Sequence, residues 1–274
     1  MSVSRREILG LLPLSVLPIS IKAAPPFRLS QDPPPIDSAF PSHSAALVRE
    51  MVIASHGNVA RVKELIARSP AFANASIDWG YGDWEDALGA ASHVGNREIA
   101  ELLLANGARP SLFSAAMLGQ LDVVKALIAA RPGVEATHGP HSITLLRHAM
   151  AGGAASQPVV DYLKTLPGAD RKPATQPISA DALAALAGTY VFGSSANERL
   201  IVAVANPSMA ANGWSLTILR QGGSPRGLAH LGDRVFYPAG APAARVRFSE
   251  SAGTLSVAVL DPDLIVTAGK IKQN

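Results

Sequence analysis

The sequence contains no cysteine and few aromatic residues. Without cysteine the chain forms no disulfide, no thiolate metal site and no thiol nucleophile. Aromatic residues occupy 5% of the 274 positions, and alanine supplies much of the apolar content, which favours closely stacked helices over an aromatic-lined pocket. The patterns G-x-S-x-G, H-E-x-x-H and S-x-x-K and the phosphate-binding glycine loop are also missing. These absences predict a protein that is not an enzyme and has no cofactor.

The first 24 residues have the order of an export signal. Arg5 and Arg6 precede an apolar run from Ile8 to Ser20, which is too short to span a membrane. The arginine pair resembles the twin-arginine type of signal, which carries folded proteins across the bacterial inner membrane. An ordinary secretory signal with two chance arginines is the alternative. We expect a periplasmic protein with no stable membrane insertion after cleavage, and the weak cleavage site leaves an uncleaved inner-membrane anchor as the alternative.

The charge balance does not indicate a nucleic-acid partner. The whole chain has 24 basic and 21 acidic residues, a formal net charge of +3. Removal of residues 1–24 takes away three basic residues and one acidic residue, which leaves a net charge of +1. Because part of the excess of basic residues lies in the predicted signal, we expect no binding to nucleic acid.

Four similar units follow a Pro-rich spacer at 25–44. The clearest copies are A-A-S-H-V-G-N-R-E-I-A-E-L-L-L-A-N-G-A at 90–108 and F-S-A-A-M-L-G-Q-L-D-V-V-K-A-L-I-A-A-R-P at 113–132. In both, an alanine pair precedes a glycine, and apolar residues at i, i+3 and i+4 follow it, which predicts paired helices. The corresponding glycines are Gly57, Gly95, Gly119 and Gly153.

These motifs resemble the ankyrin-repeat family, whose consensus runs T-P-L-H-x-A-A-x-x-G-H and then x-x-V-V-x-x-L-L-x-x-G-A. The second half matches closely at 90–108, and T-L-L-R-H-A at 144–149 is a degraded first half. The resemblance covers residues 45–170 and implies an α-solenoid of about four repeats. It also implies a concave face with projecting finger loops, which would bind a protein partner in the cell envelope.

Two long connections between the units are the predicted finger loops. The first, at 77–86, holds three aromatic residues and four carboxylates, and the second, at 137–144, holds two histidines. Exposed aromatic residues are typical interface anchors, although packing onto a neighbouring repeat is the alternative. The predicted partner-binding residues are Trp79, Tyr81, Asp83, Trp84, Glu85, His138 and His141.

The histidines are not expected to form a metal site. Zinc requires three or four converging ligands with a fixed second shell, whereas His138 and His141 lie in a finger and His148 lies in the next helix. His56 and His93 stand just before equivalent glycines, so repeat packing accounts for them. Metal-dependent hydrolysis at His138 and His141 remains a third hypothesis.

The acidic residues of the first finger allow two interpretations. Asp83, Glu85 and Asp86 could act as paired carboxylates in acid–base chemistry. We favour a solvated face and helix N-terminal charges, because no cleft is evident that would raise one pKa.

Beyond a polar linker at 171–182, the pattern changes to a period of two. Eight short segments from Gly188 onward alternate apolar and polar residues between turn residues. They predict a small antiparallel meander, curled into a barrel or half-barrel, over 183–274. The stretch L-A-G-T-Y at 186–190 loosely resembles a β-domain appended to secreted hydrolases of the penicillin-binding type. The predicted fold class is therefore α+β multidomain, an ankyrin-like solenoid followed by this β-domain.

The alternative function places a ligand inside the β-domain. A small apolar or carbohydrate molecule would bind in the barrel, and the repeats would serve as scaffold. The inward positions that would enclose it are Val202, Leu216, Ile218, Phe236 and Phe248.

Overall fold

The computed structural model describes residues 38–172, 174–241, 243–262 and 264–271. The export signal predicted at 1–24 and most of the spacer at 25–44 lie outside these residues. Within them, none of the helices combines the length and the apolar character that crossing a membrane requires.

The first part of the chain is built from helices in consecutive pairs. Polar side chains cap many of them; the Asn58 and Asn96 side chains, for example, accept hydrogen bonds from backbone N–H groups three residues further on. Within 38–172 the α-helices are α1 (Ala45–Ala54), α2 (Val59–Arg68), α3 (Ala87–His93), α4 (Arg97–Ala105), α5 (Leu112–Met117), α6 (Leu121–Ala130), α7 (Leu145–Ala151) and α8 (Gln157–Lys164). Short 3₁₀ turns cover Pro70–Asn74, Val134–Ala136, Pro140–Ser142 and Gly153–Ser156.

A β-hairpin separates α2 from α3. Its strands are β1 (Ser76–Asp78) and β2 (Trp84–Asp86), and they pair antiparallel with Ile77 opposite Glu85. The hairpin corresponds to the first predicted finger. Successive residues of a strand face opposite sides, so Glu85 is buried while Trp84 before it is exposed.

The predicted ankyrin-like solenoid is wrong: the protein has an α+β fold that contains a closed β-barrel. In a solenoid each repeat contacts only its neighbours, whereas α3 contacts α7 as well as α5. A Cβ added at Gly95 would collide with the carbonyl oxygen of Ala151 at the end of α7. The sequence motifs predict paired helices, because helix pairing depends on residues that are close together in the chain. They do not determine which helix pairs pack against one another.

Eight strands form the closed antiparallel barrel in the described part of the chain after residue 187. They are β3 (Gly188–Val191), β4 (Arg199–Val204), β5 (Leu216–Arg220), β6 (Arg226–Gly232), β7 (Val235–Pro238), β8 (Arg245–Ser251), β9 (Thr254–Asp261) and β10 (Leu264–Lys270). Each strand pairs with the next, and β10 pairs with β3 to close the barrel. Helices α9 (Ala180–Leu186) and α10 (Pro207–Ala211) precede β3 and β5.

Apolar side chains pack together inside the barrel. The rings of Tyr190 and Phe236 each meet the Phe248 ring edge-on, with centroids 5.8 and 5.5 Å apart. The positions that the sequence suggested as a ligand-enclosing wall belong to this same hydrophobic cluster: Val202, Leu216, Ile218, Phe236 and Phe248. Their packing lends no support to a ligand chamber between them.

The barrel docks against the two finger segments through polar contacts. The Ser142 hydroxyl lies 2.6 Å from the Tyr237 hydroxyl and accepts a hydrogen bond of 2.7 Å from the Gly240 N–H. Gly240 has a φ of 73°, and a Cβ there would collide with the Asp83 carboxylate. The linker is held as well, because Gln176 exchanges hydrogen bonds with His230 of β6.

Candidate metal centre

Four side chains from separate segments of the helical part converge at one point. His56 follows α1, Glu85 lies in β2, His93 ends α3, and His141 lies in the second finger. Each offers one potential ligand atom, and these atoms all lie within 4.8 Å of one another. The cluster therefore has the three-histidine, one-carboxylate composition of a transition-metal site.

The Glu85 carboxylate at the centre of the cluster is fully buried, with 0% of its side chain exposed. Its Oε2 accepts a hydrogen bond of 2.7 Å from the Trp79 indole N–H. Its Oε1 lies 2.9 Å from His93 Nε2, an ion-pair contact when that ring is protonated, but no described residue donates a well-aligned hydrogen bond to it. A buried oxygen without a donor is costly, and such groups call for an explanation such as an ion.

Backbone and carboxylate acceptors orient two of the histidines. His56 Nδ1 lies 3.1 Å from the Val52 carbonyl oxygen, and His141 Nδ1 lies 2.9 Å from Asp83 Oδ2. Both acceptors require a proton on Nδ1, which leaves Nε2 of the neutral ring with a lone pair facing the cluster. Metal-ligating histidines have this arrangement, in which the second nitrogen donates to a carbonyl or carboxylate.

Three of the separations between ligand atoms lie close to those around a bound ion. His93 Nε2 lies 3.1 Å from His56 Nε2, and Glu85 Oε2 lies 3.6 Å from His56 Nε2 and 3.5 Å from His141 Nε2. Metal–ligand bonds of 2.0–2.1 Å in a tetrahedron place neighbouring ligand atoms roughly 3.3 Å apart. All of the separations are within 4.8 Å, so the four side chains would have to move closer together to bind one ion.

The electrostatics of the cluster favour a charged carboxylate. Burial alone would raise the pKa of Glu85, but His141 and His93 outweigh it and lower that pKa to about 2. Burial likewise opposes the charge on His141, whereas Asp83 and Glu85 raise its pKa to about 9. A proton and a metal ion would therefore compete for the His141 nitrogen.

Asp83 connects this cluster to the barrel. It accepts a hydrogen bond of 2.9 Å from the His141 backbone N–H as well as contacting the ring. Arg226 of β6 reaches the same carboxylate at 2.9 Å and donates to the Trp79 carbonyl oxygen. Burial opposes the charge of Asp83, but His141 and Arg226 more than offset it and lower the pKa.

The backbone that carries His141 is strained. His141 and the following Ser142 have φ values of 59° and 61°, in the left-handed region that non-glycine residues rarely occupy. Each such residue costs on the order of 1–3 kcal/mol, and strain of this kind clusters at functional sites. In this protein the left-handed backbone conformation turns the His141 ring towards Glu85 and lets Ser142 contact the barrel.

The structure distributes the predicted partner-binding residues unevenly. Glu85 and His141 belong to the cluster, Asp83 supports it, and Trp79 donates to it. Trp84 is 64% exposed on the opposite face of β2, and Tyr81 is half-buried with the Arg226 guanidinium 5.7 Å from its ring.

The other two candidate histidines are not among the four ligands, although the His148 ring meets the His93 ring edge-on with centroids 6.4 Å apart. His138 Nε2 contacts the Arg171 carbonyl oxygen at 2.5 Å. His148 is buried in α7 with its Nδ1 2.9 Å from the Thr144 carbonyl oxygen, and its Nε2 has no partner among the described residues.

The sequence predicts other roles for all four ligands, since His141 is a predicted partner-binding residue and enters a metal site only in the third hypothesis. Repeat packing accounts for His56 and His93 in the sequence analysis above, and Glu85 is a predicted partner-binding residue on a solvated face. One sequence signal indicated the site. His56 and His93 occupy equivalent places just before the glycines of two successive helix pairs, and both contact Glu85 of the first finger.

A cavity of about 850 Å³ adjoins the cluster between the helical part and the barrel. The His93 and His141 side chains line it from one side. Residues of α10 and β6, including Met209 and Arg226, line it from the other. Two of the four candidate ligands are therefore shared between the cluster and the cavity.

No protein-family model matches the sequence, and a search of curated proteins finds no significant match.

Proposed function

We propose that the protein binds a divalent transition-metal ion through His56, Glu85, His93 and His141. The observation that carries the proposal is the convergence of three imidazole nitrogens on the buried Glu85 carboxylate, with the four ligand atoms within 4.8 Å of one another and no well-aligned donor to Glu85 Oε1 among the described residues. An ion there would replace the missing donor and neutralise the carboxylate.

The ligand set narrows the choice of ion. Imidazole and carboxylate ligands suit Zn²⁺, Fe²⁺, Mn²⁺, Co²⁺ and Ni²⁺, and the absence of sulfur ligands disfavours Cu⁺. Four protein ligands would complete a tetrahedral zinc site. A six-coordinate ion would keep two positions for ligands from the adjoining cavity.

The direct test is metal analysis of the full chain. We expect about one ion per chain after purification without chelator or after titration with Zn²⁺ or Co²⁺, and Glu85→Gln should weaken binding at least tenfold because it removes the central charge. His138→Gln is the matched control, since it alters a histidine outside the cluster. The visible spectrum of the Co²⁺ form reports the coordination number. Equal metal binding by the Glu85→Gln variant would refute the assignment.

Binding of a protein partner in the cell envelope through the finger loops stays a prediction. Trp84 favours it, since this finger aromatic is exposed. The other predicted finger residues contact the cluster, the barrel or, in the case of His138, the Arg171 carbonyl oxygen, so the interaction would centre on Trp84. Loss of a partner in Trp84→Ala, with metal content unchanged, would separate this role from the metal centre.

A further inference from the structure

The cavity beside the metal cluster is built from both halves of the molecule. Its volume of about 850 Å³ is in the range of small-molecule sites. His93, His141 and Arg147 line the helical side, and Met209, Trp214 and Arg226 line the barrel side. A molecule bound here would touch both halves and the metal ligands together.

The charge of the cavity wall has one sign. Arg147, Lys172 and Arg226 line it, whereas no aspartate or glutamate of the described residues does. Arg226 is paired with Asp83, but neither Arg147 nor Lys172 has an ion-pair partner in the described part of the chain. Two cations without ion-pair partners in the wall of a cavity attract an anion.

The remainder of the wall is apolar and adaptable. Trp79 and Trp214 offer flat aromatic faces, while Met150 and Met209 offer flexible side chains that accommodate different shapes. The Trp214 indole is held in place because it packs against Gly227, where a Cβ would collide with the ring. This wall suits an aromatic or aliphatic body.

We propose that the cavity binds an organic anion, a carboxylate or a phosphate ester with an apolar body. Its charged group would face the ion at His93 and His141, together with Arg147 and Lys172, and its body would contact Trp214 and the methionines. This assignment rests on the proposed metal site. It also requires an ion that keeps a coordination position open to the cavity.

Calorimetric titration of metal-loaded protein tests this inference with defined probes. 3-Phenylpropanoate and phenyl phosphate carry the two anionic groups, and 3-phenylpropanamide is the neutral comparison. We expect one or both anions to bind at least tenfold more tightly than the amide, and at least tenfold more tightly than they bind to chelator-treated protein. The probe that binds more tightly shows whether the cavity prefers a carboxylate or a phosphate ester.

A double variant tests the two cations. Arg147→Gln with Lys172→Gln should weaken anion binding at least tenfold and leave the metal content unchanged. The matched control, Arg131→Gln with Lys164→Gln, removes two exposed cations that do not line the cavity. Equal affinity for anion and amide, or an unaltered affinity in the double variant, would overturn the inference while leaving the metal site intact. Absence of bound metal would instead refute the proposed function.

Discussion

At the scale of single residues, the interior holds ionisable groups whose charge depends on their immediate neighbours. His141 and His148 are seven positions apart, yet their pKa values move in opposite directions, to about 9 and about 4. The carboxylates that contact His141 raise its pKa, whereas burial is the main cause of the lowered pKa of His148. The same residue type therefore carries a positive charge at one position and stays neutral at the other at neutral pH.

His148 predicts a loss of stability in acid. Because burial lowers its pKa to about 4 in the folded chain from about 6.5 when unfolded, the unfolded chain binds the proton more tightly. Its contribution is fully present above pH 6.5 and is lost as the pH falls towards 4. Thermal melts of metal-free protein should therefore show a smaller drop between pH 6.5 and 4 in His148→Gln than in the wild type.

His138→Gln provides the control for this measurement, since His138 is less buried and belongs to the same region of the chain. Its melting temperatures should follow those of the wild type across the same pH range. An identical drop in the His148→Gln variant would show that other groups cause the acid sensitivity.

At the scale of elements, close backbone contact between helix pairs distinguishes this helical part from an open row of repeats. Gly95, in the turn between α3 and α4, packs so closely on the end of α7 that no Cβ would fit there. Gly119, in the turn between α5 and α6, packs on the Ala155 carbonyl oxygen in the same way. Glycine permits both the left-handed turn and the close approach.

Paired glycine substitutions separate these two requirements. Gly95 and Gly107 both have positive φ, 76° and 89°, but only Gly95 has backbone atoms where a Cβ would lie. Gly107→Ala should cost about 1–2 kcal/mol in free energy of unfolding from the left-handed conformation. Gly95→Ala should cost clearly more, measured by denaturant titration of both variants. Equal losses would contradict the packing of the α3–α4 turn on α7.

The sequence predicted the helices and strands better than it predicted how they pack together. Alternation of apolar and polar residues placed a strand at 199–204, where β4 lies, because that pattern is a local property. The packing of α3 on α7 and the meeting of His56, Glu85, His93 and His141 depend on contacts between distant segments. In the sequence Glu85 appears among acidic neighbours, and only the fold reveals that it is buried.

At the scale of the whole molecule, one buried ion pair links the helical part to the barrel. Arg226 of β6 and Asp83 are 11% and 2% exposed in their side chains. The same arginine also contacts the carbonyl oxygens of Trp79 and Ala239. The relative position of the two halves therefore depends on contacts that also support the metal ligands.

Arg226→Gln should destabilise the molecule strongly. The substitution removes the guanidinium from the buried Asp83 carboxylate and leaves His141 as its cationic contact, and breaking a buried pair costs about 3–5 kcal/mol. Arg234→Gln is the matched control, because its pair with Glu250 is half-exposed and such pairs contribute about 0–1 kcal/mol. Calorimetric unfolding of both variants provides the comparison. Similar stabilities of the two would show that Arg226 does not hold the halves together.

The spacing of the four proposed ligands along the chain has a topological consequence. They span residues 56 to 141, so a bound ion would tie together segments far apart in sequence in a protein that contains no cysteine. Closing a loop of that length in the unfolded chain corresponds to roughly 4–5 kcal/mol for a covalent link. A metal ion would thus act as a removable cross-link, and unfolding of the helical part would become dependent on the supply of the ion.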